Sequence, residues 1–270
     1  MFTGLSKTSC SLQNPSTSVP AMLISWGARA VYIGPGLQLK AHRNAVAVLA
    51  LALESPMRVA LDPRDLAKEF EVCRSVLIEP NQLHLIEMTT HDHAFIYVDA
   101  LSRDLLNLRT RCLKSGKTCS FGLSNETEVI EIIARMARTP KAWADTHTNL
   151  ATSLGFVQGC GDPRILKVIQ ALQLTPDDIR QAKDWANASD LSSSRFQHLF
   201  KESVGVPFRR FRLWMRMRSA LACAMHGNNL TEAAMQAGLS SSAHLSAAFK
   251  DMFGIAPSQL IAVSPVYIEN

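Results

Sequence analysis

The sequence predicts an α+β protein in which a β-rich N-terminal region precedes a wholly helical C-terminal region. Three observations support this class. Short apolar runs separated by turn-forming residues fill residues 21–100, helix-period apolar stripes begin after residue 100, and one helical plan occurs twice in the last hundred residues. The 270 residues suffice for two ordinary domains. Apolar residues make up 47% and charged residues 19%, a balance typical of globular proteins.

The β-rich region consists of short apolar runs bounded by Gly, Pro, Asn, Asp or Ser. The runs are 22–26, 30–33, 45–53, 57–61, 72–78, 82–88 and 94–98. Many short strands at close spacing indicate a small barrel or jelly roll. Residues 1–20 are rich in Ser, Thr and Pro and predict a flexible tail. They lack the apolar core of a signal peptide.

Residues 101–160 are predicted to hold two helices and the interdomain linker. The first apolar stripe is Leu101, Leu105, Leu108 and Cys112, and the second is Val129, Ile132, Ile133 and Met136. Asn125, followed three residues later by Glu128, predicts a capping box at the start of the second helix. Because these stripes offer an apolar surface, we expect a homodimer through residues 101–138. The alternative is that Ile133 packs inside its own subunit.

The C-terminal region repeats one supersecondary unit. Four positions recur after 49 residues: Phe196, Phe200, Lys201 and Gly205 correspond to Leu245, Phe249, Lys250 and Gly254. Each copy has a short helix, a turn and an amphipathic second helix, with Ser192 predicted to cap the first and Ser240 or Ser241 the second. This layout is a helix-turn-helix, whose second helix offers its outer face to the major groove of DNA.

Positive charge concentrates in the same region. The net charge is +5, and residues 195–218 contain seven basic residues and one acid, Glu202. The basic residues are Arg195, Lys201, Arg209, Arg210, Arg212, Arg216 and Arg218. Most lie on a predicted helix at 208–225 that joins the two units and spans roughly 27 Å at about 1.5 Å per residue. Such a rod suits two helices about one DNA turn, ~34 Å, apart.

Residues spread over about a hundred positions carry a family resemblance. They are Asp162-Pro163-Arg164-Ile165, Leu191-Ser192, Phe200-Lys201, Gly205, Phe208, Phe211, Arg216, Ala220, Gly238, Phe249-Lys250, Phe253-Gly254 and Pro257. This segment resembles the DNA-binding domain of the AraC/XylS family of transcription regulators. Residues 31–35, His42, 77–84 and 97–99 are similar, more loosely, to the cupin-like regulatory domains of that family. Asp190 departs from the pattern, since a turn glycine is usual there, as do Ala243 and Ala247, where polar residues are common.

The resemblance implies a domain order: tail 1–20, cupin-like regulatory domain 21–100, helical dimerisation region and linker 101–160, and double helix-turn-helix domain 161–262. It implies sequence-specific DNA binding that activates or represses transcription, without catalysis, cofactor or metal. The residues expected at DNA are Ser193, Ser194, Gln197, His198, Lys201, Arg209, Arg210, Arg212, Ser241, Ser242, Ser246 and Lys250. Expected partners are promoter DNA, a second copy of the chain, RNA polymerase and a small-molecule effector.

An effector cavity is expected inside the barrel, lined by Trp26, Tyr32, His42, His84 and Tyr97. Core packing accounts for the aromatic residues equally well. A cytoplasmic location is expected, because the cysteines are scattered without a CxxC pair and the longest apolar run, 45–53, is too short to cross a membrane.

Alternative interpretations have distinct signatures. A cupin-type metal enzyme usually needs a His-x-His motif with a later histidine, whereas the segment at His42 supplies one histidine. His91 and His93 lie at a predicted turn. A protein-binding adaptor would use the same helices without DNA. Cys112 and Cys119 bracket a basic loop that would lower a thiol pKa, which raises the hypothesis of a redox switch.

Overall fold

The computed structural model describes residues 21–36, 40–61, 70–88, 92–139, 143–156, 162–263 and 266–269. The predicted N-terminal tail lies outside these ranges, as does His91. Among the described residues, no helix is both long enough and apolar enough to cross a membrane.

The strands of the described residues form two sheets. They are β1 (Met22–Trp26), β2 (Arg29–Pro35), β3 (Ala47–Ala52), β4 (Met57–Leu61), β5 (Glu71–Cys73), β6 (Ser75–Ile78), β7 (His84–Glu87), β8 (Asp92–Val98), β9 (Cys112–Lys114), β10 (Cys119–Leu123) and β11 (Val266–Glu269). The larger sheet has the order β11-β1-β2-β8-β3-β6-β10-β9, and the smaller has the order β5-β4-β7. Strand β11 pairs with β1 in parallel, with Val266 opposite Met22, and the other pairs are antiparallel.

The central strands of the large sheet are buried on both faces. Successive side chains of a strand point to opposite sides, so its residues divide between two cores. The inner core combines Leu23, Tyr32, Val48, Phe95 and Tyr97 with Met57, Val59 and Ile86 of the small sheet. The outer core combines Met22, Ile24, Val31, Ile33, Leu49 and Ile96 with apolar residues of the adjoining helices. This double burial explains why β3 is apolar at every position.

The helices of the described residues include one that was not predicted, α3, in the segment expected to be linker, and several helices begin at a capping side chain. They are α1 (Arg103–Arg111), α2 (Glu126–Arg138), α3 (Trp143–Leu154), α4 (Pro163–Leu174), α5 (Ala182–Ala188), α6 (Ser193–Val204), α7 (Phe208–Met225), α8 (Leu230–Gln236), α9 (Ser242–Phe253) and α10 (Pro257–Ala262). Ser102 caps α1 by accepting a hydrogen bond from the Asp104 amide at 2.8 Å. Asp162 caps α4 by accepting from the Arg164 amide at 2.9 Å.

The region 101–160 differs from its prediction. Strands β9 and β10 lie between the two predicted helices and extend the large sheet beside β6. Asn125 makes no capping hydrogen bond to the helix backbone; instead its side-chain amide donates to the Glu128 carboxylate at 3.1 Å.

Most side chains of these apolar stripes are buried within their own subunit, whereas Leu101 is 56% exposed and Cys112 is half-buried. Leu105 is 1% exposed, Leu108 0% and Ile133 0%, and all three pack against the outer face of the large sheet. The buried side chains of these stripes are not available to a second copy, which agrees with the alternative that they pack inside their own subunit. A homodimer stays a prediction without an assigned surface.

The inner core of the sheets continues into the C-terminal helices. One cluster of buried residues joins Tyr32 and Tyr97 to Trp214, Phe249 and Phe253. The ring of Tyr97 meets that of Phe253 edge-on, with centroids 5.2 Å apart. The two regions therefore share a packed, apolar interface.

Candidate nucleic-acid interface

The first helix-turn-helix unit consists of α5, a turn and α6. Asp190 lies in the turn with a φ of 53°, in the left-handed region that favours glycine. Ser192 caps α6, as predicted, by accepting a hydrogen bond from the Arg195 amide at 3.2 Å. Phe196 and Phe200 are fully buried and hold the helix against the domain core. Local capping and a buried apolar stripe thus fix the position of α6.

The opposite face of α6 is exposed and polar. It carries Ser193, Ser194, Gln197, His198 and Lys201. The Gln197 amide donates to the Ser193 hydroxyl at 3.4 Å, and His198 Nε2 lies 3.8 Å from the Glu202 carboxylate. Such long contacts between exposed groups contribute little stability. The side chains can therefore exchange them for hydrogen bonds to a base edge or a phosphate.

The second unit consists of α8, a turn and α9. Gly238 supplies the left-handed turn at a φ of 66°. Of the two serines considered for the cap, Ser241 is the cap, accepting from the His244 amide at 3.1 Å. Leu245 and Phe249 are 2% exposed and form the buried face. The unit is built like the first one, which accounts for the 49-residue repeat.

The exposed face of α9 is less polar than that of α6. Ala243, Ala247 and Lys250 are exposed, whereas Ser242 and Ser246 are half-buried. His244 is also exposed, with its Nδ1 3.0 Å from the Ser240 hydroxyl. Sequence reasoning missed His244 because the outer face was assigned from the alignment of the two units. Its position three residues after the cap would have placed it on the first turn.

The basic residues of α7 have different surroundings. Arg209 is exposed. The Nε of Arg210 donates to the Asp99 carboxylate of the N-terminal region at 2.7 Å. Arg212 donates to the backbone carbonyl of Arg180 at 2.7 Å and to that of Asp178, and burial lowers the pKa of its guanidinium. Arg210 and Arg212 thus bind groups of the protein itself, whereas they were expected to contact DNA phosphates.

Comparison with known proteins agrees with this geometry. A protein-family model described as a helix-turn-helix domain matches residues 185–262. The chain carries an AraC-type helix-turn-helix domain. This domain makes the chain a DNA-binding transcription regulator.

The fold as a whole is similar to that of ToxT from Vibrio cholerae O395. The two chains are 12% identical, the similarity covers 87% of this chain and 98% of ToxT, and the TM-score is 0.52. The C-terminal domain of AraT, a response regulator from Geobacillus stearothermophilus, is 20% identical over 39% of this chain and 88% of its own, with a TM-score of 0.36. An AraC-type transcriptional regulator from Chromobacterium violaceum is 19% identical over 38% and 92%, also with a TM-score of 0.36. No curated protein sequence matches the chain.

In this regulator the residues expected at an effector divide between the two faces of the large sheet. Tyr32 and Tyr97 line an apolar cavity of about 20 Å³ that also involves α7 and α9. His42, His84 and Tyr97 line a neighbouring cavity of about 10 Å³. Trp26 lies on the other face, under the guanidinium of Arg29 at 4.6 Å, and is not part of either cavity. The expectation that Trp26 lines the effector cavity is therefore wrong, because side chains alternate along β1 and that of Trp26 lies on the other face of the sheet.

His42 and His84 lie side by side where the N-terminal sheets meet the AraC-type domain. Their backbones form a hydrogen-bonded antiparallel pair, and their ring centroids are 4.4 Å apart. Burial, together with the neighbouring His42, lowers the pKa of His84 to about 4. Burial also lowers the pKa of His42. The described residues contain no group of three or more His, Cys, Asp or Glu side chains that could hold a metal.

The cysteines flanking the basic loop do not have the environment of a reactive thiol. Burial, with a smaller contribution from the nearby Glu79, raises the pKa of both Cys112 and Cys119 to about 11. Because the thiolate is the reactive form, these groups are poor nucleophiles near neutral pH. The structure therefore argues against the redox-switch hypothesis.

Proposed function

We propose that the regulator binds promoter DNA by placing α6 and α9 in successive major-groove segments. The observation that carries this proposal is that both helices are capped by serine, buried on one face and exposed over their first turns. Helix α7 joins the two units and has 18 residues, or roughly 27 Å at about 1.5 Å per residue. This length suits groove segments about one turn of DNA, ~34 Å, apart.

The polar residues of α6 supply the groups that read base edges. Gln197 can bind adenine with two hydrogen bonds, and Ser193, Ser194 and His198 can each donate or accept one. Lys201 lies further along the same face and binds the phosphate backbone. This helix is therefore the main source of sequence preference.

Helix α9 contributes affinity and register. The first-turn hydroxyls of Ser241 and Ser242 lie at a helix N-terminus, where backbone amides favour an anionic group such as a phosphate. Ser246 makes a single hydrogen bond, and Lys250 binds phosphate. Arg209 adds a further phosphate contact from α7, whereas Arg210 and Arg212 act within the protein.

The test is a fluorescence anisotropy titration of the full chain against promoter fragments at two salt concentrations. Binding that weakens steeply with salt is expected, because each phosphate contact releases a bound counterion. A protein-binding adaptor would show no DNA affinity. A cupin-type enzyme would likewise leave the fragments unbound and would retain a metal through gel filtration.

We further propose that the regulatory domain holds a small-molecule effector at the two neighbouring cavities that share Tyr97, with Tyr32, His42 and His84 in their walls. A space of about 20 Å³ holds no more than a water molecule, so an effector must part the walls. The proposal predicts ligands that raise the melting temperature of the full chain and change its DNA affinity together. A cytoplasmic location, a homodimer and contact with RNA polymerase belong to the same proposal.

A further inference from the structure

The N-terminal region contacts both recognition helices near their C-terminal ends. The Arg103 amide donates to the carbonyl of Gly205, the residue that ends α6, at 3.3 Å. The Ala45 amide donates to the carbonyl of Asp251, in the last turn of α9, at 2.7 Å. Gly254, which ends α9, lies so close to His42 that a Cβ atom would overlap the imidazole ring. The N-terminal region therefore touches corresponding ends of the two units.

Asp99 binds the helix that joins these units. It follows β8 directly and is 0% exposed. Its Oδ2 accepts hydrogen bonds from Arg210 Nε at 2.7 Å and from Trp214 Nε1 at 2.9 Å, and its Oδ1 accepts from the Leu101 amide at 2.9 Å. Arg210 and Trp214 are four residues apart and thus lie on one face of α7. One carboxylate therefore connects the end of a strand to two successive turns of α7.

An aromatic wall supports this contact. Tyr97 precedes Asp99 by two residues and lies in the same buried cluster as Trp214 and Phe253. Its ring packs edge-on against Phe253, and Phe253 packs against Trp214 with centroids 5.7 Å apart. Because buried aromatic groups are closely packed, rotation of α7 about Asp99 would also displace the end of α9.

The docked arrangement leaves the DNA-binding ends free. Ser194, Gln197 and His244 are exposed on the first turns of α6 and α9, whereas the N-terminal region holds the last turns. Twelve residues separate the two ends of each helix by about 18 Å. Docking therefore restrains the two helices relative to each other without covering the surface proposed to face DNA.

We propose that Asp99 is a positioning residue that sets the separation and angle of the two recognition helices, and thereby the half-site spacing that the regulator accepts. The inference rests on the proposed function, in which α6 and α9 both enter the groove. Asp99 acts through Arg210 and Trp214 and touches no DNA. In this arrangement the regulatory domain is a template for the two helices, and a change at its interface alters which operators are bound.

The experiment compares DNA duplexes that differ only in half-site spacing. The half-sites are first selected by the wild-type full chain from a randomised pool, and the spacing is then shifted by one to three base pairs. Wild-type protein is expected to lose about tenfold or more in affinity on the shifted duplexes, because a rigid pair of helices fits one spacing. Asp99→Asn and Arg210→Gln are expected to reduce this loss to about threefold or less while binding the selected spacing more weakly.

Matched variants separate positioning from loss of charge or of folding. Arg209→Gln removes the neighbouring exposed arginine, a proposed phosphate contact, and is expected to weaken binding by the same factor at every spacing. Trp214→Phe keeps an aromatic ring and loses the indole N–H donor, so it tests the same contact if Asp99→Asn fails to fold. The double variant Asp99→Asn/Arg210→Gln is expected to be no worse than either single variant, since both remove one contact.

Other outcomes overturn the inference. Variants that weaken binding equally at all spacings would show that the contact is structural only. Variants that bind more tightly at all spacings would show that docking inhibits binding. If the wild-type chain binds no duplex at any salt concentration, the proposed function itself fails, which is a different result from an unchanged spacing preference.

Discussion

At the scale of single residues, Asp190 has a strained backbone conformation at a position where the sequence departs from the family pattern. The equivalent turn of the second unit has Gly238, and both residues adopt the left-handed backbone, with φ values of 53° and 66°. A side chain in this conformation costs about 1–2 kcal/mol, which glycine avoids. The departure from the family pattern therefore predicts strain at an exposed position of an otherwise well-packed domain.

Replacing Asp190 by glycine is expected to stabilise the regulator. Asp190→Gly should raise the free energy of unfolding by about 1 kcal/mol relative to Asp190→Ala, because alanine keeps the left-handed strain. Both variants remove the carboxylate near Arg164, so their difference isolates the backbone. Urea denaturation followed by circular dichroism provides the measurement. Equal stability of the two variants would contradict the explanation.

Gln197 and Ser246 are expected to contribute unequally to base recognition. Gln197 is exposed on α6 and can make a bidentate contact, worth about 1–3 kcal/mol of discrimination, whereas Ser246 is half-buried on α9. Gln197→Ala should relax the preference at one or two base pairs, and Ser246→Ala should lower affinity with the preferred sequence unchanged. Selection from a randomised DNA pool reads out both. A motif equally sharp in both half-sites would instead indicate shape or water-mediated readout.

At the scale of elements, periodicity predicted the helices but not what covers them. The stripes of α6 and α9 were placed correctly because a duplicated unit fixes the side that faces the core. The stripe of α2 has the same period, yet nothing in it distinguishes a second subunit from the chain's own sheet. Strands β9 and β10 were missed because three to five residues are too few for a clear alternation.

Replacing Ile133 on α2 tests whether this stripe is covered by the chain's own sheet or by a second subunit. Ile133 is 0% exposed against the outer face of the large sheet, so Ile133→Asp should destabilise the N-terminal region by several kcal/mol, the cost of burying an unpaired charge. Leu106→Asp on α1 is the control, because Leu106 is 56% exposed. Thermal melts and sedimentation are measured together. A folded Ile133→Asp monomer derived from a wild-type dimer would restore the subunit-interface interpretation.

The arginines of α7 are expected to differ in salt dependence. Arg209 is exposed, and its replacement by alanine should reduce the slope of log affinity against log salt by about one. Arg212 is held by two backbone carbonyls, so Arg212→Ala should leave the slope unchanged and lower the stability of the domain. Anisotropy titrations from low to moderate salt measure the slopes. A lower slope for Arg212→Ala would return that residue to the DNA surface.

At the scale of the whole molecule, the interface between the two regions was beyond sequence reasoning. Asp99 and Arg210 are 111 positions apart, and nothing in the segment 97–99 or in the basic stretch indicates that the two side chains meet. Arg210 was predicted to bind a DNA phosphate because its positive charge indicates an anionic partner. The sequence does not show that the carboxylate of Asp99 is that partner. His42 and His84 were predicted to line a cavity. The position of His42 against the end of α9 depends on long-range packing that the sequence does not show.

The paired histidines at this interface predict that the regulator loses stability in mild acid. In an unfolded chain a histidine titrates near about 6.5, whereas burial and the neighbouring His42 lower the pKa of His84 to about 4. Between these two pKa values the unfolded state binds more protons than the folded state. The contribution of His84 to the free energy of unfolding is therefore complete above about pH 6.5 and is lost as the pH falls towards 4. The contribution of His84 is on the order of 3 kcal/mol. Urea denaturation at pH 7.5 and pH 5 should show a smaller difference for His84→Gln than for wild type or for His226→Gln, whose histidine is exposed. Equal differences for all three proteins would mean that His84 does not sense protons.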